Sequence, residues 1–130
     1  MSTLEATKAI TTKEVAERLV LLCREGKNVQ AIEELYSDNI VSIEPKGSRA
    51  EITEGKAAVL GKTTQWIQMI EQIHNTHISD PIFTGNHFSC LMEMDVTLKD
   101  IGRIPMNEIC VFEVREGKIV FEQFFFEVNN

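Results

Sequence analysis

The spacing of apolar residues changes about half-way along this chain of 130 residues, and that change constrains the fold most strongly. Up to about residue 75, apolar side chains recur mainly at intervals of three or four, the period of an amphipathic helix. From about residue 88 onward, three β-rich stretches follow one another. Helices followed by a strand meander are typical of α+β folds, so we predict three N-terminal helices packed on one face of a curved antiparallel sheet.

Three helical regions are predicted in the N-terminal half. The first opens with a Thr-x-x-Glu capping box at Thr11, and Gly26 ends it. The second covers about residues 29–36. The third is predicted in two pieces that separate near Gly61, and the longer piece spans about residues 63–75 with apolar side chains at helical spacing.

Strands are predicted mainly in the C-terminal half. Three long strands are expected at about residues 88–98, 104–115 and 118–128. A short strand at about residues 40–44 stands alone among the helices. Residues 78–84 read as a further strand that an Asp-Pro dipeptide interrupts.

The turn in the segment VREGK decides which side chains of the last two strands share a face. A two-residue turn at Glu116 and Gly117 needs positive φ at both positions, which disfavours Glu. We therefore predict a three-residue loop, which places Glu122 with Glu108, whereas the two-residue turn would place Gln123 there. The outer face would then carry Ile109, Val111, Ile119, Phe121, Gln123 and Phe125. This largely apolar outer face predicts a homodimer.

Composition excludes several classes of partner. The formal net charge is -7, and Lys and Arg are scattered, so neither nucleic acid nor an anionic membrane surface is an expected partner. The chain has no apolar run near the ~20 residues that a membrane helix needs, and its start lacks the blocks of a signal peptide. Three scattered cysteines predict free thiols and a cytoplasmic protein. The length predicts a single domain over residues 1–130, with residues 1–10 a loose lead-in.

The order of these motifs resembles a known superfamily. Two helices, a short strand ending in Glu44-Pro-Lys-Gly, a third helix and a meander closing with VFEVREGKIVFEQFF are similar to the nuclear transport factor two-like proteins. The similarity is greatest to the SnoaL-like branch and more distant to ketosteroid isomerase, and it covers about residues 12–128. It implies a cone-shaped fold that encloses a mostly apolar pocket. The same fold hosts isomerases, cyclases, dehydratases and many non-enzymes, so it indicates architecture more than function.

The resemblance also implies two catalytic carboxylates. The general base of ketosteroid isomerase is an Asp directly before the proline of the first-strand motif, and Glu44 stands there in this chain. A neutral acid that donates to the developing oxyanion is matched by Glu108 if the hairpin is one residue longer. The Tyr on the first helix of the isomerase is replaced by Leu19, which argues against steroid isomerisation itself.

Each carboxylate has a second interpretation. A carboxylate that faces an apolar cavity is desolvated, so its pKa rises and it exchanges protons near neutral pH. Glu44 reads alternatively as a solvated strand-end residue paired with Arg49 or a lysine. Glu108 lies in a segment with few other charges, and its alternatives are an outer-face position or a structural hydrogen bond.

Further candidates are weaker. Asp95 falls on the more polar face of its strand and is catalytic only if that face lines the cavity. His74 follows Ile73 on the predicted third helix and is either a pocket proton carrier or a surface residue. A metal site is not expected, because Glu71 and His74 lack the second motif that a di-iron centre needs. Expected contacts of the ligand are Leu19, Tyr36, Trp66, Cys110, Phe112 and Phe124.

We therefore expect a SnoaL-like protein that binds a small, largely apolar molecule in an internal pocket. If it is an enzyme, the expected reaction is a cofactor-independent isomerisation, cyclisation or dehydration. Glu44 would remove a proton α to a carbonyl, and protonated Glu108 would stabilise the enolate; this division of labour follows the handling of paired carboxyls in ketosteroid isomerase. The alternative is a non-catalytic ligand-binding or dimeric interaction module.

Overall fold

The computed structural model describes residues 10–128. The predicted lead-in therefore lies almost entirely outside the described residues. Within them the helices are α1 (Thr12–Arg24), α2 (Asn28–Leu35) and α3 (Lys56–Met69). The strands are β1 (Tyr36–Ile43), β2 (Ile52–Glu54), β3 (Ile70–Ile78), β4 (Ile82–Thr84), β5 (His87–Leu98), β6 (Gly102–Arg115) and β7 (Lys118–Phe125). No helix in this part of the chain is long and apolar enough to span a membrane.

The strands form one curved, unclosed sheet in the order β2-β1-β7-β6-β5-β3, with β4 beside β5. The predicted α+β class is confirmed, but the sheet is mixed, because β1 runs parallel to β7 while the other pairs are antiparallel. Local alternation cannot reveal this pairing, since it joins the first strand to the last. It brings the end of β1 next to the middle of β7, where the candidate site lies.

Helix α1 forms for the reasons that its sequence suggests. Thr11 Oγ1 accepts a hydrogen bond from the Glu14 backbone N–H at 3.1 Å, and Glu14 Oε1 accepts one from the Thr11 backbone N–H at 3.0 Å. This capping box satisfies two N–H groups that the first turn leaves without partners. Beyond the helix, Gly26 has φ 75, as its predicted role as a helix stop requires. The apolar stripe of α1 packs on the sheet through Val15, Ala16, Leu19, Val20, Leu22 and Cys23.

The third helix differs from its prediction at two points. It continues through Gly61, because a single exposed glycine costs a helix only about 1 kcal/mol. It ends at Met69, and the segment after it is strand β3 rather than helix. β3 contains Ile70, Ile73, Thr76 and Ile78, whose branched side chains favour strands, and it pairs with β5 along its length. The helical spacing that ran past Met69 was therefore misleading, and His74 belongs to a strand.

The last hairpin combines a tight turn with a bulge. Glu116 and Gly117 have φ 52 and 76, and Arg115 pairs with Lys118, so the predicted three-residue loop was wrong. The register then shifts by one residue at Val120, because Val114 pairs with Ile119 while Glu113 pairs with Phe121. The bulge restores the predicted outcome for Glu122, which faces the helices. The tight turn pairs Ile119 with Val114 ahead of the bulge, so Ile119 lies in the core, where it is fully buried, instead of outward as predicted.

Candidate functional site

A chain of polar side chains crosses the concave face of the sheet. Lys62 Nζ donates to Ser42 Oγ and to Glu44 Oε2, each at 2.8 Å. Ser42 Oγ donates in turn to Glu122 Oε2 at 2.8 Å, and the Tyr36 hydroxyl donates to Glu122 Oε1. Ser42 and Glu122 are 0% and 2% exposed, so the chain is anchored in the core and emerges at Lys62 and Glu44.

The local structure explains why these groups meet. Ser42 and Glu44 are two residues apart at the end of β1, so both side chains lie on one side of the strand. Ser42 pairs with Glu122 in the parallel ladder between β1 and β7, which sets the two side chains next to each other. Lys62 lies three residues after Val59, which is 1% exposed, and therefore shares the inward face of α3 with it.

Glu108 lies on β6 opposite Met92 and beside Cys110, whose Sγ is 3.7 Å from Glu108 Oε1. Burial raises the pKa of the Glu108 carboxyl to about 7, and the hydrogen bond from Cys110 acts in the opposite direction. The nearby charges of Glu122 and Glu44 raise the pKa further, whereas the charge of Lys62 lowers it. The pKa of Glu108 thus depends on the charges of Glu44, Glu122 and Lys62, which are the ionisable members of the polar chain other than the Tyr36 phenol. With a pKa of about 7, the Glu108 carboxyl changes charge near neutral pH.

The rest of the cluster is more deeply buried. Burial raises the pKa of Glu122, against the effect of the hydrogen bonds from Tyr36 and Ser42. Burial also holds the pKa of the Tyr36 phenol well above its ordinary value, and the charge of Glu122 acts in the same direction. These groups comprise the carboxyls of Glu44, Glu108 and Glu122 and the ammonium group of Lys62. Because carboxyls outnumber the ammonium group, retention of one proton in the site is favoured.

Exposure changes along the inward face of β6 in a way that suggests an opening. Inward-facing Cys110, Phe112 and Val114 are buried, whereas inward-facing Ile104, Met106 and Glu108 are partly exposed. On β5, the neighbours Met92 and Met94 are partly exposed as well. The helices therefore cover the hairpin end of the concave face fully and cover the middle of β5 and β6 incompletely.

Two depressions with measurable volume lie elsewhere. One of about 410 Å³ is on the outer face and is lined by His77, Glu93, Asp95 and Arg103 among others. The other, of about 370 Å³, lies between α1 and β4 and is lined by Leu21, Arg24 and Phe83 among others. Neither includes Glu44, Glu108 or Glu122. Buried ionisable groups converge beside apolar side chains on the concave face, which makes that face the candidate site.

The weaker candidates lie away from the carboxylates. Asp95 is on the outer face, where Arg103 donates two hydrogen bonds to it at 3.0 and 2.8 Å and holds the pKa of Asp95 below its ordinary value. His74 Nε2 is 2.7 Å from Thr97 Oγ1, and Thr97 shares the outward parity of Asp95 on β5. Glu44 and Glu108 thus lie within electrostatic reach of each other, whereas Asp95 and His74 lie on the other face of the sheet.

The apolar candidates divide into core and lining. Leu19, Cys110 and Phe112 are buried, and Phe112 stacks on Phe88 with ring centroids 4.6 Å apart. Trp66 and Phe124 are partly exposed, and Phe124 pairs with Cys110 on the inward face of the sheet. Tyr36 reaches the site through its hydroxyl, as described above.

Sequence reasoning missed two members of the site. Lys62 and Ser42 were not singled out, and Glu122 was identified only through the face that it shares with Glu108. The spacing of Lys62 from Val59 was the available signal, because it puts a cation on the apolar side of a helix. Within residues 10–128, no group of three or more His, Cys, Asp or Glu side chains is arranged to hold a metal ion.

The profile of the SnoaL-like domain matches residues 10–126. The chain belongs to this family. No curated protein sequence is significantly similar to it. Among solved structures, a Mesorhizobium loti protein assigned as a SnoaL-like polyketide cyclase is 30% identical, with a TM-score of 0.81 and coverage of 90% of this chain and 100% of that one.

Two more distant structures share the fold. A protein of unknown function with a cystatin-like fold from Xanthomonas campestris is 14% identical, with a TM-score of 0.75 and coverage of 89% and 90% of the two chains. A Catenulispora acidiphila protein with a ketosteroid isomerase-like fold, in complex with trimethylamine, is 17% identical, with a TM-score of 0.70 and coverage of 91% and 88%. At these identities the likeness concerns the fold alone.

Proposed function

We propose that this SnoaL-like protein binds a small, largely apolar molecule in a pocket on the concave face and exchanges a proton with it through Glu108. The observation that carries the proposal is the position of Glu108, on a partly exposed apolar strip and within electrostatic reach of Glu44, Glu122 and Lys62. The partly exposed apolar neighbours supply a surface for an apolar ligand, and Glu108 supplies a group that gains or loses a proton near neutral pH.

The reaction that suits this arrangement is removal of a proton from a carbon next to a carbonyl group, as in isomerisation or cyclisation. The Mesorhizobium loti relative carries two designations, SnoaL-like polyketide cyclase and carbohydrate phosphatase, and the first of them belongs to this class. Acid–base chemistry of this kind needs no cofactor. We assign the base to Glu108 instead of Glu44, because Glu44 is held in an ion pair with Lys62 at 2.8 Å.

The first experiment identifies what the pocket carries. Small molecules retained by the purified protein would be released and analysed by mass spectrometry, and the retained compound would then be incubated with the protein in D₂O. We expect deuterium to enter the position α to its carbonyl group at a rate proportional to protein concentration. Recovery of no carbonyl compound, or no exchange above the buffer rate, would contradict the proposal.

A matched pair of variants assigns the exchange to Glu108. Glu108→Gln should lower the exchange rate at least 100-fold, since loss of a general base typically costs 10²–10⁴-fold. Glu113→Gln makes the same change on the same strand but on its other face, where Glu113 pairs with Arg115, and it should leave the rate unchanged. Equal rates in the two variants would remove Glu108 from the mechanism.

A second candidate function is a dimeric interaction module. Leu91, Ile109 and Phe125 are direct cross-strand partners on the outer face and are 36%, 53% and 49% exposed. A row of exposed apolar residues favours association with a second copy. We expect Ile109→Lys to convert a dimer to monomer in sedimentation velocity, with Ile82→Lys, also exposed but outside this row, as the control. A wild-type protein that is monomeric at all concentrations would exclude this candidate.

We also propose a reducing, cytoplasmic environment. Cys90 and Cys110 face each other across β5 and β6 as free thiols, and Cys23 is buried as well. Directly opposed thiols that stay unpaired are typical of reducing compartments. Localisation of a tagged protein in its native cell would test this.

A further inference from the structure

The ammonium group of Lys62 has hydrogen-bonding capacity to spare. It carries three N–H donors, and Ser42 Oγ and Glu44 Oε2 accept two of them. Among residues 10–128 no third acceptor lies within hydrogen-bonding distance, and the face of the Phe124 ring is 5.7 Å from Nζ. The Lys62 side chain is 19% exposed, so the ammonium group is not fully enclosed by protein.

We propose that Lys62 binds an oxygen of the ligand that carries or develops negative charge, which makes the ligand an enolisable carbonyl compound or a phenol-like analogue. The inference rests on the proposed function, because it assigns the partner of Glu108 in the same site. Lys62 would contact the ligand directly. Glu44 and Ser42 would act as positioning residues, since they restrain a side chain that is otherwise flexible.

The surroundings of Lys62 support a functional role beyond charge balance. Ser42 is itself fixed by Glu122, which Tyr36 holds from the other side, so the orientation of Lys62 is set by a chain that ends in the core. The charged or titratable groups that face Lys62 are Glu44 after β1, Glu122 on β7 and Glu108 on β6. A preorganised cation in a partly dehydrated site is an effective stabiliser of a developing oxyanion.

The proton transfer balances without another reactant. The Glu108 carboxylate takes the proton from the α-carbon, and the C–H electron pair becomes the new C=C bond. The π electrons of the carbonyl move to its oxygen, where the free N–H of Lys62 donates to the resulting anion. Return of the proton from Glu108 to a different carbon would complete an isomerisation. Attack of the enolate carbon on a second carbonyl of the ligand would instead form a C–C bond and an alkoxide, and transfer of the proton from Glu108 to that alkoxide oxygen would complete a cyclisation.

The test measures the ionisation of a bound probe and requires no turnover. 4-Nitrophenol changes its absorbance on ionisation, and its pKa when bound reports how well the site stabilises an oxyanion. All variants carry Glu108→Gln, so that titration of Glu108 does not mix with that of the probe. In this background we expect Lys62→Met to raise the pKa of the bound probe by at least one unit, because a cation within ~4–6 Å typically shifts a pKa by 1–3 units.

The opposite charge change should have the opposite sign. Glu44→Gln removes the counter-ion of Lys62 and should lower the pKa of the bound probe, whereas a purely structural role for the ion pair gives both variants the same sign. Lys56→Met is the matched control, because Lys56 is on the same helix but donates to the Glu33 carbonyl oxygen outside the site. It should leave the probe unchanged.

Several outcomes would overturn the inference. They are an unchanged probe pKa in Lys62→Met, a shift of the same sign in Glu44→Gln, and no saturable binding of 4-nitrophenol to the Glu108→Gln parent. Should Lys62→Met fail to fold, judged by circular dichroism, Glu44→Gln alone decides. Deuterium exchange separates the two proposals: normal exchange in Lys62→Met with Glu108 intact refutes the role of Lys62 only, whereas normal exchange in Glu108→Gln refutes the proposed function.

Discussion

The pKa of a carboxyl group shifts in opposite directions on the two faces of the sheet. On the outer face Asp95 pairs with Arg103 in the presence of solvent, and the pKa of Asp95 falls below its ordinary value. On the concave face Glu122 accepts two hydrogen bonds in the core, yet burial raises its pKa. Desolvation, more than the number of hydrogen-bond partners, therefore decides the direction in which the pKa of each carboxyl group shifts.

The largest expected effect comes from removing a buried carboxylate. Glu122→Ala leaves the hydroxyls of Tyr36 and Ser42 without their acceptor and opens a cavity, so we expect it to lower the free energy of unfolding by about 4 kcal/mol. Asp95→Ala removes a solvent-exposed ion pair and should cost far less. Urea unfolding at one pH measures both, and similar costs for the two variants would break the comparison.

The pH dependence of stability should also differ between the faces. The pKa of Glu108 is about 7 in the folded protein against an ordinary value of 4.5, so the folded state binds the proton more tightly than the unfolded state. Stability should therefore fall as pH rises from about 4.5 to about 7, by roughly 3 kcal/mol at most for this group. Asp95 acts in the opposite sense, because its lowered pKa stabilises the fold above the ordinary Asp pKa and that contribution is lost on acidification.

The free energy of unfolding, measured across this pH window, tests the predicted direction of the effect for both Glu108 and Asp95. Glu108→Gln should flatten the decline between about pH 4.5 and 7, whereas Asp95→Asn should leave that decline unchanged and affect only the acid limb. Equal slopes in the wild type and in Glu108→Gln would mean that Glu108 does not bind its proton more tightly in the folded state. Glu122 contributes a decline of the same sign, so some slope should persist in Glu108→Gln.

The contrast between local and long-range signals explains what the sequence could predict. The capping box at Thr11 and the three C-terminal strands depend on neighbouring residues, and they were predictable. The parallel pairing of β1 with β7 depends on residues far apart in the chain, and no local period records it. The same distinction applies to the candidate site. Glu44 and Glu108 were predicted from motifs, whereas Ser42 meets Glu122 only through the long-range pairing of β1 with β7.

Two errors in the prediction partly cancelled in the last hairpin. The preference against Glu at positive φ is real, but the tight turn tolerates Glu116 at φ 52. The predicted three-residue loop would have shifted the register of β7 by one residue, which the tight turn does not do. The bulge at Val120 provides that shift instead. Glu122 therefore reached the predicted face by another route, whereas Ile119, which lies before the bulge, did not.

The smallest expected effect contrasts the two sides of helix α3. Gly61 lies beside Lys62 in sequence but is exposed, and a Cβ added there would meet no atom within 4 Å. Gly61→Ala should therefore stabilise the protein by up to about 1 kcal/mol, through the higher helix propensity of Ala, and should leave the pH dependence due to Glu108 unchanged. Gly26→Ala is the matched control, because φ 75 strains any side chain and the same substitution should destabilise. The midpoints of thermal unfolding distinguish the two variants. A destabilised Gly61→Ala variant would show that the outward side of α3 tolerates substitution no better than the inward side.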